Sequence, residues 1–230
     1  MSSDLNAFYT LIWELERRIG GRRRLGDCHG RMSWPERGVY FFFEPGEYRA
    51  SGSTQRIVRV GTHALATKSR ATLWKRLSQH RGTEKPPGGN HRGSIFRLLV
   101  GEAMLNAEGS GAIESWGRGS SATRELRELE RAQEELVSEY LSELTLLFLE
   151  VPDNPGPSSA RGTIERNSIA LLSNYTSPTA DVPSPLWLGH HSGRDRVRRS
   201  GLWNNNHVDE HFDPLSLNIL EASIRQLPSG

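Results

Sequence analysis

Glu165 is the residue whose position most needs a chemical explanation. In "TIERNSIALLSN" (Thr163 to Asn174) it precedes Ile169 by four residues and Leu172 by seven, so a helix here places a carboxylate on the apolar face. Such a carboxylate is costly unless it is paired or binds a cation, which leaves two readings: a salt bridge to one of the many arginines, or a cation site. Arg76 and His80, in "SRATLWKRLSQHRG", are also four apart and share one side of a short helix. Tyr40 heads the aromatic run of "RGVYFFFEPG", either as the first ring of a buried strand or for its hydroxyl. His207 and His211 in "HVDEH" have the spacing of a helical metal pair, but the second-position glutamate of "HExxH" is missing and Pro214 follows, which favours ordinary loop histidines. The single cysteine, Cys28, excludes an internal disulfide and a multi-cysteine zinc site and reads as an inert thiol.

The net charge of +2 conceals clustering: Arg17, Arg18, Arg22, Arg23 and Arg24 form one group and Arg194, Arg196, Arg198 and Arg199 another, while Arg124 to Glu143 is strongly acidic. The arginine fork suits bidentate phosphate contacts, so nucleic acid and plain solvated surface both account for these groups. His91, Arg92 and Arg97 in "NHRGSIFR" offer phosphate contacts or a basic loop, and the same pair of readings holds for His190, His191 and the arginines from Arg194 to Arg199.

The elements that must position these groups follow from hydrophobic period. Leu5, Phe8, Ile12, Leu15 and Ile19 predict a first helix over 4–19, stopped by Gly20-Gly21. Residues 39–44 and 57–61 read as strands of an antiparallel hairpin with a long loop. A short helix over 69–82 takes Ser69 as cap, and "SIFRLLVG" (Ser94 to Gly101) reads as a third strand. The longest helix is expected over 121–141, with Leu126, Leu129, Leu136 and Tyr140 on its apolar stripe and glutamates facing solvent. "LTLLFLEVP" is a buried strand, a helix runs over 163–174, and "PLSLNILEASIRQL" closes the chain as an amphipathic helix.

Together these predict an α+β fold: a small mixed, largely antiparallel sheet of three to four strands flanked by helices, one of them long and acidic. A chain of 230 residues with 35% hydrophobic residues, 23 Gly and 12 Pro suits one domain with a modest core and long loops. No apolar run approaches the roughly 18 residues of a membrane span, and "MSSDLNAF" is unlike a signal peptide, so no membrane partner and a cytoplasmic location are expected.

Taken in order, "GVY" (Gly38 to Tyr40), "RVG" (Arg59 to Gly61), the helix with "LWKRLSQH" and the helix opening "TIERNSIALL" resemble the GIY-YIG nuclease superfamily, most closely its restriction-endonuclease-like branch. The resemblance spans about residues 37–175 of a single domain over 1–230, preceded by the helix over 4–19 and followed by a loop and helix over 176–227. It departs from the family at Arg59, which replaces the tyrosine of the second motif, in a longer gap between the two motifs, and in the long acidic helix, which looks like an insertion before Glu165. It implies a metal-dependent endonuclease acting on DNA, with catalytic Tyr40, Arg59, Arg76 and His80. Tyr40 would activate water, and Glu165 would hold one Mg²⁺ or Mn²⁺ per active site. The family's asparagine maps to Asn174 first, with Asn204 close behind. DNA contacts are assigned to His91, Arg92, Arg97, Arg194, Arg196 and Asn204, and a homodimer would serve double-strand cleavage in restriction or phage defence. Two other readings stay open: a binding module that kept this fold without turnover, which Arg59 favours, and an interaction protein centred on the acidic helix.

Overall fold

A computed structural model describes residues 2–50, 52–85, 87–109, 113–156, 158–176 and 181–228. The chain opens with α1 (Ser2–Arg18), whose Leu5, Phe8, Ile12 and Leu15 are all buried, and turns at Gly20 and Gly21, both at positive φ. It continues through β1 (Arg23–Arg24), β2 (Gly38–Tyr48) and β3 (Gln55–Gly61) to α2 (Leu73–Arg81). The helix α2 starts later than expected because Thr72, not Ser69, takes the Lys75 N–H at 3.2 Å. A two-strand ribbon, β4 (Thr83–Glu84) with β5 (Pro87–Gly88), leads to α3 (Ile95–Glu108). Then come α4 (Arg124–Leu129), α5 (Arg131–Glu143), β6 (Thr145–Glu150), α6 (Ala160–Leu172), α7 (Asp195–Ser200) and α8 (Ser216–Arg225).

The architecture is α+β, as expected, and its main sheet has the order β1-β6-β2-β3, four strands with every pairing antiparallel where a mixed, largely antiparallel sheet of three to four was expected. β6 returns late in the sequence to lie beside β2, setting Tyr40 opposite Phe148 on one side while β3 sets Gly61 opposite it on the other. Residues Val39 to Phe43 are buried without gaps because both faces of β2 are covered. Val39, Phe41 and Phe43 face a core shared with α1, α6 and α8. Tyr40 and Phe42 face a second core built from α2, α3 and α5.

Two expectations fail for identifiable reasons. Ser94 to Gly101 is not a strand but the start of α3: the Ser94 hydroxyl accepts the Arg97 N–H at 3.3 Å, and Phe96, Leu99, Val100 and Ala103 bury one helical face. A short apolar run fits either period, and the cap decides it. The helix expected over 121–141 is broken at Glu130, whose carboxylate turns inward to Arg92. The break shifts the face: Leu129 and Leu136 are exposed, Val137 and Leu141 are buried, and Glu134 points inside rather than to solvent. No helix among the described residues is long and apolar enough to cross a membrane.

Candidate active site

The hairpin of β2 and β3 brings Tyr40 across Gly61 so closely that a β-carbon on Gly61 would stand 2.3 Å from the Tyr40 hydroxyl. Only glycine allows that approach. The Tyr40 hydroxyl is 2.8 Å from Nε2 of His80, in the last turn of α2, and His80 Nδ1 is 2.7 Å from the Ser94 hydroxyl that caps α3. Burial, reinforced by Arg59, Arg76 and Arg97, holds the His80 imidazole well below its usual range. The ring is therefore neutral at ordinary pH, one nitrogen donating and the other accepting.

Arg59 projects from β3 into the same core. Its Nη1 donates to the Trp203 carbonyl, its guanidinium lies 4.7 Å over the Phe96 ring, and its Nε is buried with no partner among the described residues. Burial lowers its affinity for its proton, and the neighbouring Tyr40 and Glu165 oppose that effect. Arg76 is half-buried and donates weakly to Gln79 Oε1 at 3.2 Å and to the Gly93 carbonyl at 3.4 Å. Neither arginine forms an ion pair with a carboxylate among the described residues, so both retain charge that the protein does not neutralise by contact.

Glu165 enters from α6, on the other side of the sheet, and meets the site at the end of β3. Its Oε1 accepts the Thr62 N–H at 3.0 Å, and Thr62 directly follows the glycine on which Tyr40 lies. The hydroxyl and the carboxylate thus converge on two consecutive residues. Burial raises the Glu165 carboxyl, while the Thr62 N–H, Arg59, His207 and Arg76 pull it down. The salt bridge that spacing alone allowed for Glu165 does not form among the described residues. Instead the carboxylate borders a cavity of about 450 Å³ lined also by Leu65, Thr163, Arg166, Asn167 and His207. A half-buried carboxylate with one hydrogen bond, open to a polar cavity, fits a hard divalent cation that takes one protein carboxylate and completes its shell with water and phosphate oxygens. No cluster of three or more His, Cys, Asp or Glu with metal-binding geometry exists among the described residues.

The family model for the GIY-YIG domain matches residues 1–229. The chain belongs to the GIY-YIG family. No curated protein and no solved structure matches it significantly. GIY-YIG domains are generally endonucleases, and in this member Tyr40, Arg59, Arg76, His80 and Glu165 gather where the two motif strands lie side by side.

The other expected site residues divide. Asn204 holds the motif strand: its Oδ1 accepts the Val60 N–H at 3.1 Å and its Nδ2 donates to the Val60 carbonyl at 2.8 Å, so it covers the β3 edge as a further strand would. Asn174 lies elsewhere, with Nδ2 donating to the carbonyls of Asp181 and Ser200, both at 3.2 Å. The basic trio of "NHRGSIFR" is turned inward. Arg92 grips Glu130 at 2.6 and 2.8 Å, Arg97 is fully buried on Glu134, and His91 donates from Nδ1 to Glu134 at 3.0 Å while stacking 4.0 Å from Trp116. These groups serve the interior, whereas Arg194 is exposed and meets Glu102, and Arg196 is half-buried, paired with Asp209 and donating to the Asn205 carbonyl at 2.9 Å. Cys28 is buried, which pushes its thiol up to about 11 and makes it inert.

Sequence reasoning missed Thr62 and Ser94, and set His207 aside as a loop histidine. Thr62 contributes a backbone N–H, which no residue type advertises. Ser94 was hidden by the strand reading of its segment.

Proposed function

We propose that this GIY-YIG protein is a divalent-metal-dependent endonuclease that hydrolyses DNA phosphodiester bonds. The observation that carries the reading is the convergence of Tyr40, His80, Arg59, Arg76 and Glu165 on Gly61 and Thr62. Tyr40 takes the proton from the attacking water. His80 is a positioning residue rather than a proton shuttle, because a buried imidazole among arginines is a poor base. With the Ser94 hydroxyl donating to Nδ1, the His80 Nε2–H donates to the Tyr40 oxygen and orients it, as phenolate, to accept the proton of the attacking water.

Arg76 contacts the scissile phosphate and the charge that grows on it, a role for a group that stays protonated. Arg59, where the family has tyrosine, sets a fixed cation beside the Tyr40 oxygen. Glu165 would hold Mg²⁺ or Mn²⁺, which when bound stabilises the leaving 3′ oxygen. Water attacks phosphorus, the 3′ oxygen leaves, and the products carry 5′-phosphate. Arg194 and Arg196 extend the contact to flanking phosphates, and one such centre per chain makes a second copy the simplest route to a double-strand cut.

The test is conversion of supercoiled plasmid by pure protein with Mg²⁺ or Mn²⁺, beside Tyr40→Phe and Glu165→Ala. Loss of a general base predicts a rate drop of about 10²–10⁴-fold for Tyr40→Phe. Equal activity in all three would overturn the assignment. If all three bind DNA in a salt-dependent way without cleaving any sequence tried, the fold serves binding alone, the reading that Arg59 favours.

A further inference from the structure

The cavity beside Glu165 is bordered by the two positions among the described residues where a non-glycine backbone is left-handed. Ala64, at φ 53°, directly precedes Leu65 and Ala66 of the lining, and His207, at φ 64°, is itself a lining residue. Each such conformation costs about 1–3 kcal/mol and persists only where its surroundings over-determine it, which makes the pair a pointer to function. The loop carrying His207 is firmly tied: Ser173 Oγ donates to the Val208 carbonyl at 2.6 Å, the Asp213 N–H to Asn167 Oδ1 at 2.9 Å, and Arg196 to the Asn205 carbonyl at 2.9 Å.

The imidazole is equally fixed. His207 Nδ1 is 2.7 Å from Glu210 Oε1, and the other oxygen of Glu210 is 3.1 Å from Nε of Arg166, a further lining residue. A carboxylate on Nδ1 selects the tautomer whose Nε2 carries a free lone pair. That nitrogen has no hydrogen-bond partner among the described residues. His211, by contrast, is exposed and does not line the cavity, so the four-residue histidine spacing builds no pair.

We infer that His207 is a second protein ligand of the divalent-cation pocket, binding the ion through Nε2 across the cavity from Glu165. The inference rests on the proposal that Glu165 binds a cation. Its chemical consequence is selectivity: imidazole suits first-row transition ions better than Mg²⁺, so a carboxylate-plus-imidazole site favours Mn²⁺.

The experiment is Mn²⁺ titration by calorimetry, with and without duplex DNA, and pulsed electron paramagnetic resonance of the bound ion for coupling to ring ¹⁴N. The full chain is compared with Glu165→Ala, His207→Asn and Glu210→Gln. Asparagine tolerates the left-handed backbone, which guards against misfolding, and thermal unfolding checks every variant. The expected result is ¹⁴N coupling in the parent that His207→Asn abolishes, with Mn²⁺ affinity falling about 10–100-fold in His207→Asn and Glu210→Gln and Mg²⁺ affinity changing less. Bound Mn²⁺ without ¹⁴N coupling, or unchanged affinity in His207→Asn, overturns the role of His207 while leaving that of Glu165 intact. Unchanged binding in Glu165→Ala, or no binding by the parent under either condition, overturns the cation pocket itself.

Discussion

Two arginine-rich regions meet at the start of α3, and they treat charge in opposite ways. In the first, Arg92 and Arg97 are matched to Glu130 and Glu134, and the buried His91 shares the Glu134 carboxylate. In the second, Arg59 and Arg76 surround Tyr40 and the buried His80 with no carboxylate in ion-pair contact among the described residues. A buried cation without a counter-ion is a stability cost. The matched cluster is scaffold that fixes α5 against α3. The unmatched one keeps the charge on which the phosphate contact proposed above depends.

The largest expected effect comes from unmatching the scaffold. Arg97→Met leaves Glu134 buried without its main partner and should destabilise the protein by about 3–5 kcal/mol in urea denaturation. Arg59→Met, which removes a charge with no carboxylate partner among the described residues and one bond to the Trp203 carbonyl, should cost less, about 1–3 kcal/mol. Equal costs would break the comparison.

Arg76→Ala should lower the cleavage rate by about 10²–10³-fold, the range for one lost oxyanion donor, with an unchanged melting temperature. A comparable shift in melting would place Arg76 with the scaffold instead.

A smaller effect concerns pH. Because burial among arginines depresses His80, the unfolded chain takes up a proton there at a pH where the folded chain does not. The stability this contributes is complete above the unfolded imidazole value of about 6.5 and is lost as pH falls from there toward the folded value. His80→Gln should flatten the decline in denaturation midpoint below neutral pH. An undiminished decline would show that His80 is not the group responsible.

Smallest of all, Arg194→Ala should reduce the salt dependence of DNA binding by about one phosphate contact and leave thermal stability unchanged. Loss of DNA binding from Arg92→Ala in a fully folded protein would reverse the division between the two regions.

Much of the fold was legible because helix and strand periods are local. Leu5 to Leu15 announce α1, the apolar runs announce β2, β3 and β6, and the order of "GVY", "RVG", Arg76, His80 and Glu165 carried the family resemblance that the match over 1–229 bears out. The segment Ser94 to Gly101 was not legible, since eight mostly apolar residues satisfy either period and one capping hydroxyl decides between them.

The amino-acid sequence by itself determined which segments form α1, the motif hairpin, β6 and α6, and that a carboxylate on α6 would sit on an apolar face. Only the tertiary structure decided that Arg97 meets Glu134 while Arg59 pairs with no carboxylate among the described residues, that Glu165 reaches the Thr62 N–H, and that His207 shares its cavity. The physical reason is range. Periodicity is a property of neighbours along the chain, whereas Arg97 and Glu134 are 37 residues apart and Thr62 and Glu165 are 103 apart. Their charges are matched or left over according to where the packed strands and helices cross.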